Sequence, residues 1–430
     1  MRRACGIGDA AARKVLTRHG IVVADVQALA VDQSPFARRI PARRMALRPG
    51  VTLDAHTIEL GGGHFTNSYA VRVAEDAGYV LDAVSDSDGF HLRDVLADPS
   101  VIGAVNGSFT FISDDPDYQP VEPHFDLCVR NGVVAGMPSA TKPALLVRGA
   151  TSAAQVVRAE GTIRVGQDVL PWTGAKEPGG RVLVFNAANC RIKYLDSEVT
   201  AFQRIVEPAT NTTPGAAWAV DAVVRVRPDG TAAITALVAG GGADLFAGSY
   251  VLRAHEEDAR EWRIGDRVVP LTVGGTDLRA VTAATSLGPS ITDAVVPQRI
   301  ANAYDDSLGV SPFRGVRYPR SLVYGTGDGA VHLRIFDGAP LTTHFQGLTP
   351  GEVVDVLAEE HHDLRWAFHL DGGQSAKLAY RHDGGVEVAG SLHYLVWPHG
   401  GETRFRWNGL DGRVLASCLV LREVGQCSRT

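Results

Sequence analysis

The fold prediction begins with TPGEVVDVLAEEHHDLRWAFHLDGGQSAKL, residues 349–378. Thr349 suits the N-cap of a helix, Pro350 the first helical position, and Glu352 completes a capping box. Apolar residues then recur along one helical face. The following RWAFHL is apolar enough for a buried strand, and that strand would end at Asp371. A helix followed directly by a strand indicates a domain that contains both kinds of element.

Outward from this segment, the chain after about residue 51 consists of short apolar runs separated by glycine-containing turns. Asn-Gly and Asp-Gly pairs between such runs are typical of hairpins. Three hairpins are predicted, in residues 127–137, 223–237 and 321–336. A second helix is predicted over residues 91–100, ahead of the apolar run VIGAV.

These patterns, with the family resemblance described below, predict an α+β fold. We expect a single strand-rich, mixed-sheet catalytic domain with flanking helices over residues 51–430. Residues 1–50 are predicted to be an N-terminal extension and connector, because a short amphipathic segment there is followed by a Pro/Arg-rich stretch.

Composition excludes several classes of function. The chain has 430 residues, a net charge of −6, and ordinary hydrophobic (45%) and charged (21%) fractions. The negative charge argues against a nucleic-acid or anionic-membrane partner. The five cysteines are scattered and include no CxxC pair, which fits neither a disulfide framework nor a zinc site. The N-terminus lacks the apolar core of a signal peptide and no apolar run is long enough to span a membrane, so a cytoplasmic location is expected.

Common cofactor and metal motifs are absent from the sequence. There is no GxGxxG opening a helix, no phosphate-binding GxxxxGK[ST], no HExxH and no GxSxG. EEHHD, residues 359–363, contains metal-ligand residue types, but adjacent helical positions point in different directions and a polar helix end is the simpler interpretation. We therefore predict no cofactor and no metal.

Polar residues beside glycine or proline stand at four predicted element ends. Asn106 ends the apolar run in AVNGSFTF, Arg320 begins a strand in YPRSLVYG, Asp337 ends a strand in IFDGAP, and Asp371 ends RWAFHL. Two carboxylates can share acid–base or nucleophilic work at a sugar carbon, and a guanidinium suits phosphate. Singly, a strand-end aspartate is more often a turn former and a lone arginine a surface charge.

As an ordered set, AVNGSF, YPRSLVYG, FDGAP, the capped helix and HLDGGQSAKL resemble the phosphodiester glycosidase family over roughly residues 51–400. This family includes the N-acetylglucosamine-1-phosphodiester α-N-acetylglucosaminidases and bacterial relatives. Its pattern runs NGGFF, an Arg-Thr strand, a DG after the next strand, a helix and LDGGGS. The chain departs from that pattern at Ser108, Thr110, Ser321 and Gln374.

The resemblance implies cleavage of a glycosyl-1-phosphodiester, a small-molecule substrate, between the anomeric carbon and the phosphate. Arg320 would hold the phosphate, while Asp337 and Asp371 would flank the anomeric carbon, with their individual roles open. The predicted substrate-binding residues are Asn106, Gly107, Ser108, Phe109, Gly372, Gly373, Gln374 and Ser375.

Two alternatives remain open at this point. The first is a cytoplasmic biosynthetic hydrolase or transferase on a nucleotide-linked or antibiotic-like sugar phosphate, which the changed motif residues favour. The second is a non-catalytic sugar-binding module on the same scaffold. A lost acid would be expected for such a module, whereas Asp337 and Asp371 are both present.

Overall fold

The structure is a computed structural model, and it describes the chain in segments. The described residues are 38–107, 127–175, 177, 179–186, 193–194, 204–205, 212–227, 230–245, 249–288, 290–291, 317–338, 344–390, 394–399, 402–407 and 415–424. The predicted binding residues Ser108 and Phe109 lie outside them, as does Thr110.

Strands make up most of the described chain. The first twelve are β1 (Arg43–Arg48), β2 (Val51–Glu59), β3 (Phe65–Val73), β4 (Tyr79–Phe90), β5 (Val101–Asn106), β6 (Cys128–Arg130), β7 (Val133–Gly136), β8 (Lys142–Arg148), β9 (Thr151–Val157), β10 (Glu160–Val165), β11 (Asp168–Gly174) and β12 (Val182–Phe185). The next nine are β13 (Lys193–Tyr194), β14 (Arg204–Ile205), β15 (Ala219–Val226), β16 (Ala232–Ala239), β17 (Ser249–His255), β18 (Arg267–Pro270), β19 (Thr272–Val273), β20 (Thr276–Asp277) and β21 (Ala283–Ser286). The last eight are β22 (Arg320–Thr326), β23 (Val331–Phe336), β24 (Leu364–His369), β25 (Leu378–His382), β26 (Gly385–Ala389), β27 (Tyr394–His399), β28 (Glu402–Trp407) and β29 (Leu415–Glu423).

Helices are few and short in the described chain. The α-helices are α1 (Leu92–Val95), α2 (Glu256–Ala259) and α3 (Pro350–Glu360), and three-residue 3-10 turns cover Gly61–Gly63, Leu278–Ala280 and Gly373–Ser375. The capping box predicted for α3 is confirmed, with Thr349 accepting from the Glu352 backbone. The helix predicted over 91–100 shrinks to α1, because the residue that precedes Pro99 is disfavoured in the helical region.

The predicted α+β class is therefore wrong: the protein is mainly β, with several sheets and a closed seven-stranded barrel. Of the α-helices in the described chain, α3 alone exceeds one turn. Most apolar runs are four to nine residues long. Runs of this length form buried strands rather than the apolar faces of longer helices. The pairing is almost wholly antiparallel, and among described strands only β11 and β12 run parallel.

A six-stranded sheet in the order β1-β2-β3-β23-β22-β24 carries the candidate site. One face packs on a five-stranded sheet, β26-β25-β5-β29-β4, through a core that includes Val323, Leu333 and Ile335. The other face packs on α3 through a core that includes Leu322 and Tyr324. Alternate residues of β22 thus enter two different cores, as the twofold repeat of a strand requires.

The barrel has the order β10-β11-β12-β17-β15-β16-β18 and closes where β10 pairs with β18. It is inserted between β9 and β21, which belong to a second five-stranded sheet, β7-β6-β21-β8-β9. Trp172, Tyr250 and Trp262 fill its core together with residues of that sheet. Pairs β13-β14, β19-β20 and β27-β28 form small two-stranded sheets.

Strand β1 lies inside the predicted N-terminal extension and pairs with β2. Before it, Arg39 forms a salt bridge with Glu59, and the Ile40 amide donates to the Thr57 hydroxyl. The division of the chain at residue 50 stays a prediction. No helix in the described part of the chain is both long and apolar enough to cross a membrane.

Candidate active site

Three of the predicted residues lie at one end of the six-stranded sheet. Strand β22 begins at Arg320, which is opposite Phe336 at the end of β23. Strand β24 ends at His369, opposite Leu322. Because β22 runs antiparallel to both neighbours, Asp337 and Asp371 follow at its starting end, one on each side. Neighbouring strands are about 4.8 Å apart, so the two aspartate backbones are about 10 Å apart with Arg320 between them.

Asn106 joins the two packed sheets at this end. It is the last residue of β5, and its side chain is buried, with 1% exposed. Its Nδ2 donates to the backbone carbonyl of Asp371 at 2.6 Å. Its Oδ1 accepts from the Ser321 hydroxyl at 2.6 Å and from the Lys377 amide at 3.2 Å. The amide thereby holds the Asp371 loop in place against β5 and β22.

Asp371 sits in a tight turn with a half-buried side chain. Its Oδ1 accepts from the Gly372 amide at 2.9 Å, and its own amide donates to the Gly107 carbonyl at 3.0 Å. The first contact is that of a turn-forming aspartate. The residue as a whole is nevertheless partly exposed.

The glycines after Asp371 allow close packing against the protein itself. Gly373 has a φ of +61°, and a Cβ there would lie 2.1 Å from Cε1 of Tyr318. A Cβ on Gly372 would lie 2.6 Å from the Pro319 carbonyl oxygen. The Gly373 amide in turn donates to that carbonyl at 2.9 Å. Both glycines are therefore required to seat the loop beside the start of β22, and their predicted contact with a ligand stays a prediction.

Arg320 is buried on the α3 side of the sheet, with 6% exposed. Its Nε donates to the carbonyl of Leu348 at 2.9 Å, just before the N-cap of α3. Burial and then the positive charge of Arg320 lower the pKa of His369 to about 3. The end of β24 thus carries a neutral imidazole within the electrostatic reach of the guanidinium.

Asp337 is more buried than Asp371, with 5% exposed. Its Oδ1 accepts from the Gly338 amide at 2.7 Å, and its carbonyl accepts from the Thr66 hydroxyl at 2.6 Å. Burial and the negative charge of Asp337 raise the pKa of Tyr69. Because Tyr69 packs against the core between the two sheets, Asp337 faces that side.

Sequence reasoning missed three residues of this region. The sequence presents Ser321 only as a motif departure, gives no signal for Lys377 (2% exposed), and places His369 within an apolar strand. The sequence does carry a signal for Ser321 and His369. Each is a polar residue inside an apolar run, and such residues usually have a specific partner when buried. Of the other predicted binding residues, Ser375 is buried, and only the backbone of Gln374 is described.

The arrangement brings a cation and two carboxylates to one end of the sheet, with Arg320 on the α3 face and Asp337 on the opposite face. Guanidinium and carboxylate groups are side chains suited to an anionic sugar derivative. Within the described segments, no group of three or more His, Cys, Asp or Glu residues is placed to hold a metal ion. Independence from metals stays a prediction.

Taken together, fold and site define a mainly β protein with a polar cluster where two sheets meet. No protein-family model and no curated protein matches the sequence.

Solved structures resemble the chain to different extents. A hypothetical protein from Synechocystis matches with a TM-score of 0.52 and 14% identity over 90% of this chain, which spans 64% of that protein's length. The zebrafish N-acetylglucosamine-1-phosphodiester α-N-acetylglucosaminidase catalytic domain, auto-inhibited by its pro-peptide, gives a TM-score of 0.37 and 11% identity, covering 90% of this chain and 88% of that one. The first likeness shows the fold alone, and the second is too weak to carry an argument. Membership of the phosphodiester glycosidase family stays a prediction.

Proposed function

We propose that this protein hydrolyses a glycosyl-1-phosphodiester between the anomeric carbon and the phosphate oxygen, releasing a free sugar and a phosphomonoester. The observation that carries the proposal is the meeting of Arg320, Asp337 and Asp371 at one end of one sheet. The sequence motifs that resemble phosphodiester glycosidases contain the same three residues.

Cleavage of the bond between the anomeric carbon and the phosphate oxygen needs little help from a general acid. The leaving group is a phosphate monoester whose second pKa is near 6, so it departs readily as an anion. The protein must bind that anion, stabilise positive charge at the anomeric carbon and activate water or supply a nucleophile. Arg320 would bind the phosphate, and the two carboxylates would act on the sugar.

Exposure suggests how the two carboxylates divide the work. Asp371 is half-buried, whereas Asp337 is almost fully buried beside Tyr69. We assign Asp371 as the group that takes the proton when water adds to the anomeric carbon. The electrons of the broken carbon–oxygen bond leave on the phosphate. The negative charge of Asp337, buried on the other face of the sheet end, stabilises the developing positive charge on the sugar from a distance.

A second candidate is a binding protein for sugar phosphates that does not turn them over. The observation that favours it is that both aspartates accept the amide of the following glycine, as turn-forming residues do. Binding of a sugar phosphate without release of free sugar would select this candidate.

The test is kcat/KM for an aryl glycosyl-1-phosphodiester and for an uncharged aryl glycoside, in the wild type and in Arg320→Lys. Lysine keeps the charge but loses the fork geometry, so the phosphodiester should lose about 10-fold or more, as for one charge-assisted hydrogen bond. The uncharged glycoside, if it is cut, should change little.

Arg317→Lys is the matched control, because Arg317 lies three residues earlier and pairs with Glu352 at 2.6 Å. This variant should leave the phosphodiester rate nearly unchanged. Equal losses for both substrates in Arg320→Lys would mean that Arg320 supports the fold or the sugar, and would remove the main argument for a phosphodiester substrate.

A further inference from the structure

His369 has a defined place at the candidate site. It ends β24 two residues before Asp371, its side chain is 5% exposed, and its carbonyl accepts from the Gly288 amide at 2.7 Å. Opposite residues of an antiparallel pair project to the same face. His369 therefore lies on the α3 face with Leu322, its partner in β22.

Arg320 projects to that same face, since it precedes Leu322 by two positions on one strand. Diagonal cross-strand neighbours are about 7–8 Å apart, within reach of a long side chain. The electrostatic influence of Arg320 on the His369 ring agrees with this placement. A cation and an imidazole thus stand side by side at the end of the sheet.

One ring nitrogen of His369 is unsatisfied within the described part of the chain. Its Nε2 is buried and has no hydrogen-bond partner among the residues that the structure describes. Most buried polar atoms in native proteins are paired, so each exception asks for an explanation, and a role in binding or catalysis is one. By contrast, Nε2 of His332, an equally buried histidine on β23, lies 3.4 Å from the Thr326 hydroxyl.

We propose that His369 contacts the ligand and donates a hydrogen bond from Nε2 to an oxygen of the same phosphate group that Arg320 binds. This inference rests on the proposed function and adds a residue to its phosphate subsite. A neutral imidazole protonated on Nε2 can donate to an anion, and it avoids the repulsion that a second cation beside Arg320 would create. An anionic oxygen suits both a neutral N–H donor and a neighbouring guanidinium.

The test uses glucose 1-phosphate as the probe, with binding measured by calorimetry on the full chain. His369→Phe fills similar space without a hydrogen bond and should weaken binding about 10-fold or more, the effect of one hydrogen bond to a charged group. His369→Gln can still donate and should lose clearly less. His332→Phe is the control on the neighbouring strand and should bind as the wild type does.

A second readout follows the ring directly. In ¹⁵N-histidine-labelled protein, saturation with glucose 1-phosphate should shift the His369 Nε2 resonance, and the bound anion should raise the pKa of His369 because it offsets the charge of Arg320. This measurement needs no variant, so it decides the matter even if His369→Phe fails to fold.

The outcomes separate this inference from the hydrolase proposal. Wild-type affinity in folded His369→Phe, an unmoved Nε2 resonance at saturation, or no binding of glucose 1-phosphate by the wild type would each overturn it. Turnover of phosphodiesters with an unmoved resonance would overturn the role of His369 alone. A shifted resonance without any turnover would support the ligand contact and remove the hydrolase.

Discussion

Asn106→Ala should be among the most destabilising single substitutions in this protein. The change deletes an amide that holds three groups from distant parts of the chain: the Asp371 carbonyl, the Ser321 hydroxyl and the Lys377 amide. The two backbone groups are fixed in place and cannot turn to another partner. The hydroxyl can rotate, although Ser321 itself is fully buried.

The magnitude follows from the groups left unpaired. A buried polar group without its partner costs about 1–3 kcal/mol. Two fixed groups and one that can rotate therefore give about 3–5 kcal/mol, which allows for a water entering the vacated space. Since whole domains are stable by only about 5–15 kcal/mol, such a loss is large.

Urea denaturation should measure the free energy of unfolding, with Asn67→Ala as the matched control. Asn67 is also buried and bonds the Thr57 hydroxyl and the Arg38 carbonyl, each at 2.8 Å. Those partners lie where water can replace the amide, so about 1–2 kcal/mol is expected there. A loss below about 1 kcal/mol in Asn106→Ala, or one no larger than in Asn67→Ala, would refute the view that Asn106 holds the Asp371 loop.

Three further predictions address the carboxylate, the loop and the acid stability of the fold. Asp371→Asn should fold normally by circular dichroism yet lose at least about 100-fold in kcat, because an amide cannot take the proton from water. Gly373→Ala should lower the Tm by several degrees, because the positive φ and the Tyr318 ring leave no room for a Cβ. Burial alone would raise the pKa of the Glu360 carboxyl, but His56 and Arg334 lower it to about 2. Its stabilising effect should therefore be complete above about pH 4.5 and disappear as the pH falls toward 2, as thermal melts across that range would show.

Each of these has a control and a contradicting result. Near wild-type kcat in folded Asp371→Asn would return that residue to a turn-forming role. Gly384→Ala also has a positive φ but meets nothing within 4 Å, so an equal Tm loss there would show that the ring contact is unimportant. Glu360→Gln should flatten the acid limb of the melting profile, and an unchanged limb would contradict the assignment.

Local signals in the sequence predicted local structure well. The capping box of α3 is present, and the predicted hairpins form the pairs β6–β7, β15–β16 and β22–β23. Asn131 in the first hairpin has the φ of 50° that its Asn-Gly turn requires. Capping and turn chemistry involve residues close in sequence, so one chain suffices to recognise them.

The closure of the barrel and the contacts between residues far apart in sequence could not be predicted in the same way. The barrel closes only because β10 pairs with β18. The alternation of apolar and polar residues along a strand shows which face is buried, but it does not show which other strand lies beside it. The choice of Arg320, Asp337 and Asp371 as candidate residues comes from the motif resemblance and stays a prediction. The role of Lys377 and Ser321 as partners of Asn106 depends on contacts across more than 200 residues, which the sequence does not display. The neutral state of His369 likewise follows from burial, which a sequence does not display.

The strand order of the six-stranded sheet also affects how the chain can fold during synthesis. Strand β3 pairs on one side with β23, whose residues follow about 260 positions later in the chain. Chains are synthesised at about 5–20 residues per second, so β23 leaves the ribosome some tens of seconds after β3. During that time one edge of β3 has no partner strand. The contiguous barrel between the two halves can complete its own pairing meanwhile. An open strand edge is a template for association, so the yield of this protein in a cell should depend on how well nascent β3 is shielded until the last quarter of the chain emerges.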